Sequence, residues 1–305
     1  MEGDTVKLSV VIPCYNGADT IGGQLDALAS QEWSQDWEVI VADNGSNDGT
    51  RDVIAGYVGK VPNLRVSDAS ARRGRSFARN TGAQVAVGEN LAFCDADDEV
   101  GPGWVRAIGE ALDAHEFVAS RWDTDKLNDA QQQHYVGNPA RDGLLSLWYP
   151  PYLPFASTNG LGIKRYLHER VGGFDEAFVR AQDTEYCVRV QQMGVTLHFV
   201  PEALIYYRLR DNFKGVMSQG YAWAYYAVLI YKRYSSPEMR LSGGWWQNVS
   251  SLLKLLAVPP VICGPKGKMQ WTWQLSWHIG MLAGGLRHGI EPPFRDQDRL
   301  RGTSQ

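Results

Sequence analysis

The chain's 305 residues are 44% hydrophobic and 21% charged, the balance of an ordinary globular protein with core enough for one large domain or two small ones. A formal net charge of -4, with no basic stretch denser than Arg72, Arg73 and Arg75, excludes broad nucleic-acid binding, which needs clustered cations facing phosphates. Cys14, Cys94, Cys187 and Cys263 stand singly, which excludes a paired-cysteine zinc site and a disulfide framework; the polar Met1–Lys7 carries no secretory signal, so a reducing, cytoplasmic setting is expected.

Leu8–Ile12 is a compact β-branched run closed by Pro13 and the turn signal Asn16-Gly17, and reads as a strand. A helix follows with Ile21, Leu25 and Leu28 on one face. Trp37–Ala42 is the next strand, Thr50–Tyr57 a helix, and Leu64–Ser67 a short strand. Arg75–Val87 is helical, Asn90–Cys94 a strand, Trp104–His115 a helix and Phe117–Arg121 a strand. This alternation implies right-handed βαβ units, hence an α/β fold with a mostly parallel sheet flanked by helices. Ligands gather at the carboxyl ends of such strands, which here carry Cys14–Gly17, Asp43–Gly49 and Asp95–Asp98.

Beyond Phe117–Arg121 the polar stretch Asp123–Arg141, with Gln131-Gln132-Gln133, reads as a surface excursion. Gly160–Ile163 is a strand, Lys164–Val171 a helix, and Gly172-Gly173-Phe174-Asp175 a turn. Thr184–Met193 is a helix capped by Asp183 and stopped by Gly194, followed by strands Val195–Val200 and Leu204–Tyr207. After Asn212 come two helical segments crowded with Trp and Tyr. The longest apolar run, Leu255–Cys263, is broken by Pro259 and Pro260 and is too short to span a bilayer.

Three segments carry candidate chemistry. Asp95, Asp97 and Asp98 repel one another unless a cation compensates, and their oxygens suit a hard divalent ion, Mn2+ or Mg2+; an acidic turn ahead of the Trp104 helix is the plain alternative. Asp43 and Asn44 face the ligand crevice and are placed to hydrogen-bond a base or ribose, although Gly45 and Gly49 also make the segment a good turn. In Arg75–Ala83, Arg79 and Asn80 are placed to position a ligand or to brace the carboxylate loop, or simply to pair with nearby acids.

The order and spacing of these segments, with Gly172-Gly173-Phe174-Asp175-Glu176 and Gln182-Asp183-Thr184-Glu185 after them, resemble the family 2 glycosyltransferases of the GT-A (Rossmann-like) fold. Val10-Val11-Ile12-Pro13-Cys14-Tyr15-Asn16 looks like that family's opening donor-site strand, and Asp95-Ala96-Asp97 like its Asp-x-Asp motif. The resemblance runs from about Lys7 to Arg210. It implies a catalytic domain over residues 1–212, with a donor half to about 122 and an acceptor half from about 155, then a helical extension over 213–290 and a polar, loosely ordered tail over 291–305.

What the resemblance implies chemically is an inverting, hexosyltransferase-type reaction from a nucleotide-sugar donor to a glycan or lipid-linked acceptor, as in polysaccharide or cell-envelope glycan synthesis. Pro13, Tyr15, Asn16, Asp43, Asn44, Arg75, Arg79, Asn80, Asp95 and Ala96 would bind the donor, Asp95, Asp97 and Asp98 the metal, and Asp183 would be the general base. The chain departs from the family at Gln182, where an acid is usual, and at Tyr207-Arg208-Leu209-Arg210, where a histidine often ends the pattern. Gln182, Arg208 and Arg210 thereby become candidate pyrophosphate or acceptor contacts, while His198 is read as a plain strand residue. Asn44 stands where relatives often have a second Asp, so the base contact differs; a UDP-sugar is the first expectation, with thymine and guanine nucleotides open.

Two other readings are weighed. A nucleotidyltransferase would carry a basic, Gly-rich first loop, which Cys14-Tyr15-Asn16-Gly17 is not; a binding module without activity would not need Asp95, Asp97 and Asp183 together. Trp271, Trp273 and Trp277 beside Arg287 and His288 suit either a helix lying peripherally on the inner face of a membrane or a helix packed in a core.

Overall fold

The computed structural model describes residues 6–129, 138–257 and 264–294. Contacts divide the chain into two units, one of Met1–Asn128, Asn138–Leu145 and Pro154–Leu209, the other of Asp129–Gly137, Ser146–Leu153 and Arg210–Gln305.

In the first unit, β1 (Leu8–Cys14), β2 (Trp37–Asp43), β3 (Leu64–Asp68) and β4 (Asn90–Phe93) run parallel, with α1 (Ile21–Ala29), α2 (Thr50–Ala55) and α3 (Arg75–Val85) as their crossovers. β1 and β2 are buried nearly end to end, as near-continuous apolar runs demand when both faces of a parallel sheet are covered. Gly82 lets α3 sit close on β1, because a Cβ there would stand 2.5 Å from Val11 Cγ1.

The sheet continues through β5 (Glu99–Val100), β6 (Phe117–Asp123), β9 (Leu161–Lys164) and β10 (His198–Tyr206), giving the order β3-β2-β1-β4-β9-β6-β10-β5. β9 is antiparallel to both β4 and β6, and β5 is antiparallel to β10. The short strands β7 (Leu145–Ser146) and β8 (Pro154–Phe155) lie outside this sheet. Helices α4 (Trp104–Ala114), α5 (Arg165–Val171) and α6 (Gln182–Gln191) complete the unit. The expected helix-flanked, mostly parallel sheet is therefore present.

Two expectations are corrected. The strands expected at Val195–Val200 and Leu204–Tyr207 are one strand, β10, whose register slips between Val200 and Leu204 around Pro201, a residue with no N–H to give the ladder. Helix α6 starts at Gln182 rather than Thr184, and its cap is Ala181 in a left-handed conformation (φ 54°), so Asp183 is not the N-cap.

The second unit holds α7 (Phe213–Tyr234), α8 (Gly244–Leu256) and α9 (Gly264–His288). Asn212 caps α7, its side chain accepting from the Gly215 N–H at 2.8 Å. The α7 and α9 backbones approach closely at Gly280, where a Cβ would lie 2.3 Å from Tyr221 O. Trp271, Trp273 and Trp277 are each half-buried among these helices; Trp273 stands edge-on to Trp223 and Trp271 Nε1 donates to Leu255 O. No helix among the described residues is long and apolar enough to cross a membrane. The expected loose tail falls almost wholly outside the described residues, as do Gln131–Gln133 and most of the Leu255–Cys263 run.

Candidate active site

The carboxyl ends of β1, β2 and β4 lie side by side, because these strands are adjacent and parallel. The loop leaving β4 carries Asp95, Asp97 and Asp98, whose ligand oxygens all lie within 4.8 Å of one another. Buried partners hold this loop. Gln24 of α1 donates to Asp95 O and accepts from the Val100 N–H; Asn159 donates to Asp98 Oδ2 at 2.7 Å and accepts from Trp122 Nε1. The Arg208 N–H donates to Asp98 Oδ1 and its Nε to Asp97 O, so Arg208 is built into the loop's framework.

Burial, then the repulsion of Asp97 and Asp95, pushes the Asp98 carboxyl well above the usual carboxylate range. Asp95 is held differently. The buried Arg79 guanidinium donates to its Oδ1 at 2.6 Å, while Arg79 Nε and Nη1 find no partner among the described residues. Asp183 is half-buried at the start of α6, and burial raises its carboxyl above the usual value, with the Thr184 N–H and Arg79 pulling it down and Asp95 pushing it up. Arg75 lies in the same field: desolvation works against its charge, but the carboxylates of Asp95, Asp97 and Asp183 outweigh it. Gln182, beside Asp183, is buried, and its Oε1 has no partner among the described residues.

The donor-side residues divide sharply. Tyr15 is exposed, with the Arg73 guanidinium 4.0 Å above its ring, and Pro13 and Ala96 are half-buried at their strand ends. Asn16 is in a left-handed conformation (φ 49°) and ties two loops together, its N–H donating to Ser46 Oγ and its Oδ1 accepting from the Asn47 N–H. Asp43 is wholly buried and accepts from the Ser46 N–H and from Arg51 Nε. Asn44 donates both its amide hydrogens to Ala69 O and Arg72 O and accepts from the Gly74 N–H. Asn80 is clamped on the backbone of Phe174, donating to its O and accepting from its N–H.

Asp43, Asn44 and Asn80, expected on the donor side, have polar groups that brace the loops at these strand ends, Asn44 and Asn80 on main-chain groups and Asp43 on the Ser46 N–H and the Arg51 guanidinium. His198 opens β10, at the opposite end of the strand from these loops, and stacks on His115 at 3.8 Å. Arg210 opens the last segment of the second unit.

Sequence reasoning passed over Gln24 and Asn159. Gln24 left a signal, being the polar member of the Ile21, Gln24, Leu25, Leu28 face that α1 buries. Asn159 left none, because its partners lie 61 and 37 residues away. The donor set fits a hard divalent ion. Asp95 and Asp97 turn carboxylate oxygens toward one another in a half-buried loop, and Asp98, with both oxygens already accepting protein N–H groups, holds the loop's shape.

Solved structures share this architecture. A mannosyltransferase, PcManGT from Pyrobaculum calidifontis in complex with GDP-Man and Mn2+, superposes over 90% of this chain and 87% of its own with a TM-score of 0.64 at 19% identity. Residues 1–349 of S. aureus TarS, in complex with UDP-GlcNAc, superpose over 93% of each chain with a TM-score of 0.56 at 16% identity. At such identities the likeness establishes the GT-A fold. In sequence, the glycosyltransferase AglE of Haloferax volcanii is 37% identical over 212 residues, 65% of each chain. A validoxylamine A glucosyltransferase of Streptomyces hygroscopicus is 30% identical over 222 residues, 62% of this chain and 52% of that one. The matches therefore span less than two thirds of these relatives' own lengths. The pattern defining Glycosyl transferase family 2 matches residues 9–172, more than half of the chain, which accordingly belongs to that family.

Proposed function

We propose that the chain is an inverting glycosyltransferase that moves a sugar from a nucleoside-diphosphate donor to a hydroxyl acceptor, in polysaccharide, glycolipid or cell-envelope glycan synthesis. One observation carries the reading: the ligand oxygens of Asp95, Asp97 and Asp98 lie within 4.8 Å of one another on the loop that leaves a parallel strand, and their field reaches Arg75 and the half-buried Asp183. The names of relatives support the setting, among them a poly(ribitol-phosphate) beta-glucosyltransferase and an amylovoran biosynthesis glycosyltransferase.

Asp183 takes the proton of the acceptor hydroxyl as that oxygen bonds to the anomeric carbon; the bond from that carbon to the diphosphate breaks on the opposite face. Its raised pKa suits a base, since a carboxyl held above the ordinary range binds that proton more strongly. Arg75 meets the charge of the departing diphosphate, and Arg79 holds Asp95 in position. A divalent ion held by Asp95 and Asp97 would supply Lewis-acid neutralisation of the same charge, and Mn2+ in the PcManGT structure supports that assignment.

A UDP-sugar is the first candidate donor, with thymine and guanine nucleotides as alternatives; UDP-GlcNAc in the TarS structure and GDP-Man in the PcManGT structure support uridine and guanosine nucleotides. The acceptor is a glycan or a lipid-linked hydroxyl; a lipid-linked one would bring the enzyme peripherally to the inner face of a membrane.

The test is a screen of UDP-, GDP- and dTDP-sugars for binding and slow hydrolysis with manganese or magnesium. Metal-dependent binding of one donor with release of its nucleotide is the expected result. If no donor binds with either metal, the transferase reading fails.

A further inference from the structure

Helix α8 is buried on one side and apolar on the other. Its inner side, through the buried Gly244 and Asn248, is held within the helical unit: Asn248 donates to Gly244 O and contacts His278, and Leu255 O accepts from Trp271 Nε1. Its outer side carries Trp246, Leu253 and Leu256, exposed to 73%, 59% and 53%. At 3.6 residues per turn these three side chains fall within about 80° of one another, a continuous stripe with the half-buried Val249 between them. A surface helix normally turns polar residues outward, so an exposed Trp and two exposed Leu on one stripe mark a face built for a partner.

Charge says which partner. From Arg210 to the end the sequence has twelve Lys and Arg against five Asp and Glu, whereas up to Leu209 it has eighteen against twenty-nine. The basic excess belongs to the same part of the chain as the stripe, and the exposed Lys254 flanks the stripe on α8 itself. An apolar stripe bearing Trp and Leu, edged by Lys254 and belonging to a part of the sequence with a basic excess, is complementary to the interface of an anionic bilayer, where the indole sits among headgroups and cations meet lipid phosphates. We infer that α8 docks this protein on the surface of an anionic membrane, lying in the interface with Trp246, Leu253 and Leu256 inserted. This places the contact on a different face from Trp271, Trp273 and Trp277, which are half-buried among the helices. The inference rests on the helical unit alone and does not depend on the transferase reading.

The experiment is flotation of the full chain with vesicles of phosphatidylcholine alone, and of phosphatidylcholine with phosphatidylglycerol at about three to one. Binding to the mixed vesicles is expected to be at least about tenfold stronger and to weaken with added salt. The triple variant Trp246→Gln, Leu253→Gln, Leu256→Gln, which keeps good helix formers, should lose at least about tenfold in binding with its circular dichroism unchanged. Should that variant fail to fold, hydrogen exchange on the unaltered chain decides: vesicles must protect α8 first. Absence of binding to anionic vesicles overturns the inference, as does protection confined to other segments. A dimer in sedimentation equilibrium that the triple variant dissolves also overturns it, by showing that a second copy covers the face.

Discussion

Two loops, at the ends of the strands that flank β1, are both polar in sequence and opposite in construction. The loop after β2 consumes its polar groups internally: Asp43 binds Ser46 and Arg51, and Asn44 binds the main chain of Ala69, Arg72 and Gly74. The loop after β4 sets three carboxylates against one another, and its outside partners, Gln24, Asn159 and Arg208, hold its backbone and Asp98 while Arg79 holds Asp95. A self-satisfied loop is shape. Three carboxylates this close oppose one another's ionisation, and a divalent cation among them would relieve that repulsion.

Substitutions should separate the two kinds. The largest effect is expected at Asp183, which answers to the second loop through Asp95 and Arg79: Asp183→Asn should lower the transfer rate by about 10²–10⁴-fold while leaving donor binding nearly intact, as single-turnover assays would show. Its melting temperature should hold or rise, because a desolvated carboxylate is removed. In the unaltered enzyme, the acid limb of the rate profile should turn at a pH above the ordinary carboxylate value, since the base must be ionised to act.

In the first loop the order reverses. Asn44→Ala removes three hydrogen bonds and should cost about 3 kcal/mol in denaturant unfolding, with donor affinity falling as a consequence of the loosened loop. An Asn44→Ala protein as stable as the parent would show that the amide is not a structural brace. Gln24→Leu tests the support of the second loop from behind: metal affinity by titration should weaken by about tenfold.

Asp43→Asn should be milder, about 1–2 kcal/mol, because its partner Arg51 is more than half exposed and solvent screens the pair. Its pH signature is distinctive. Burial opposes ionisation of Asp43, but Ser46 and Arg51 prevail and hold its carboxyl below the ordinary 3.8. The stability it contributes is therefore present above that value and lost as pH falls through the depressed one. Asp98 has the opposite sign, its raised carboxyl favouring the fold at low pH and losing that contribution as pH rises through its own pKa. Asp43→Asn should flatten the acid end of a stability–pH curve, and Asp98→Asn should not.

Much of this was open to reading from residue order. The alternation of β-branched runs with helical spacing specified the parallel half of the sheet, because side-chain period and burial on both faces are local properties. Asp95, Asp97 and Asp98 stood out as candidates by proximity along the chain, and Asp183 as a candidate by its resemblance to a family motif. What the order of residues left undetermined depended on partners far away in sequence. Asn44, Asn80 and Asn159 are chemically alike, and only the fold decides which amide meets main chain and which meets a carboxylate. The same holds for Gln24, whose neighbours in α1 are ordinary core residues, and for Trp246, which differs from the half-buried Trp245 beside it only by the turn of a helix. Local pattern sets which element forms and which groups carry charge; tertiary structure decides which of those groups are already satisfied, because a hydrogen bond is settled by distance in space and not along the chain.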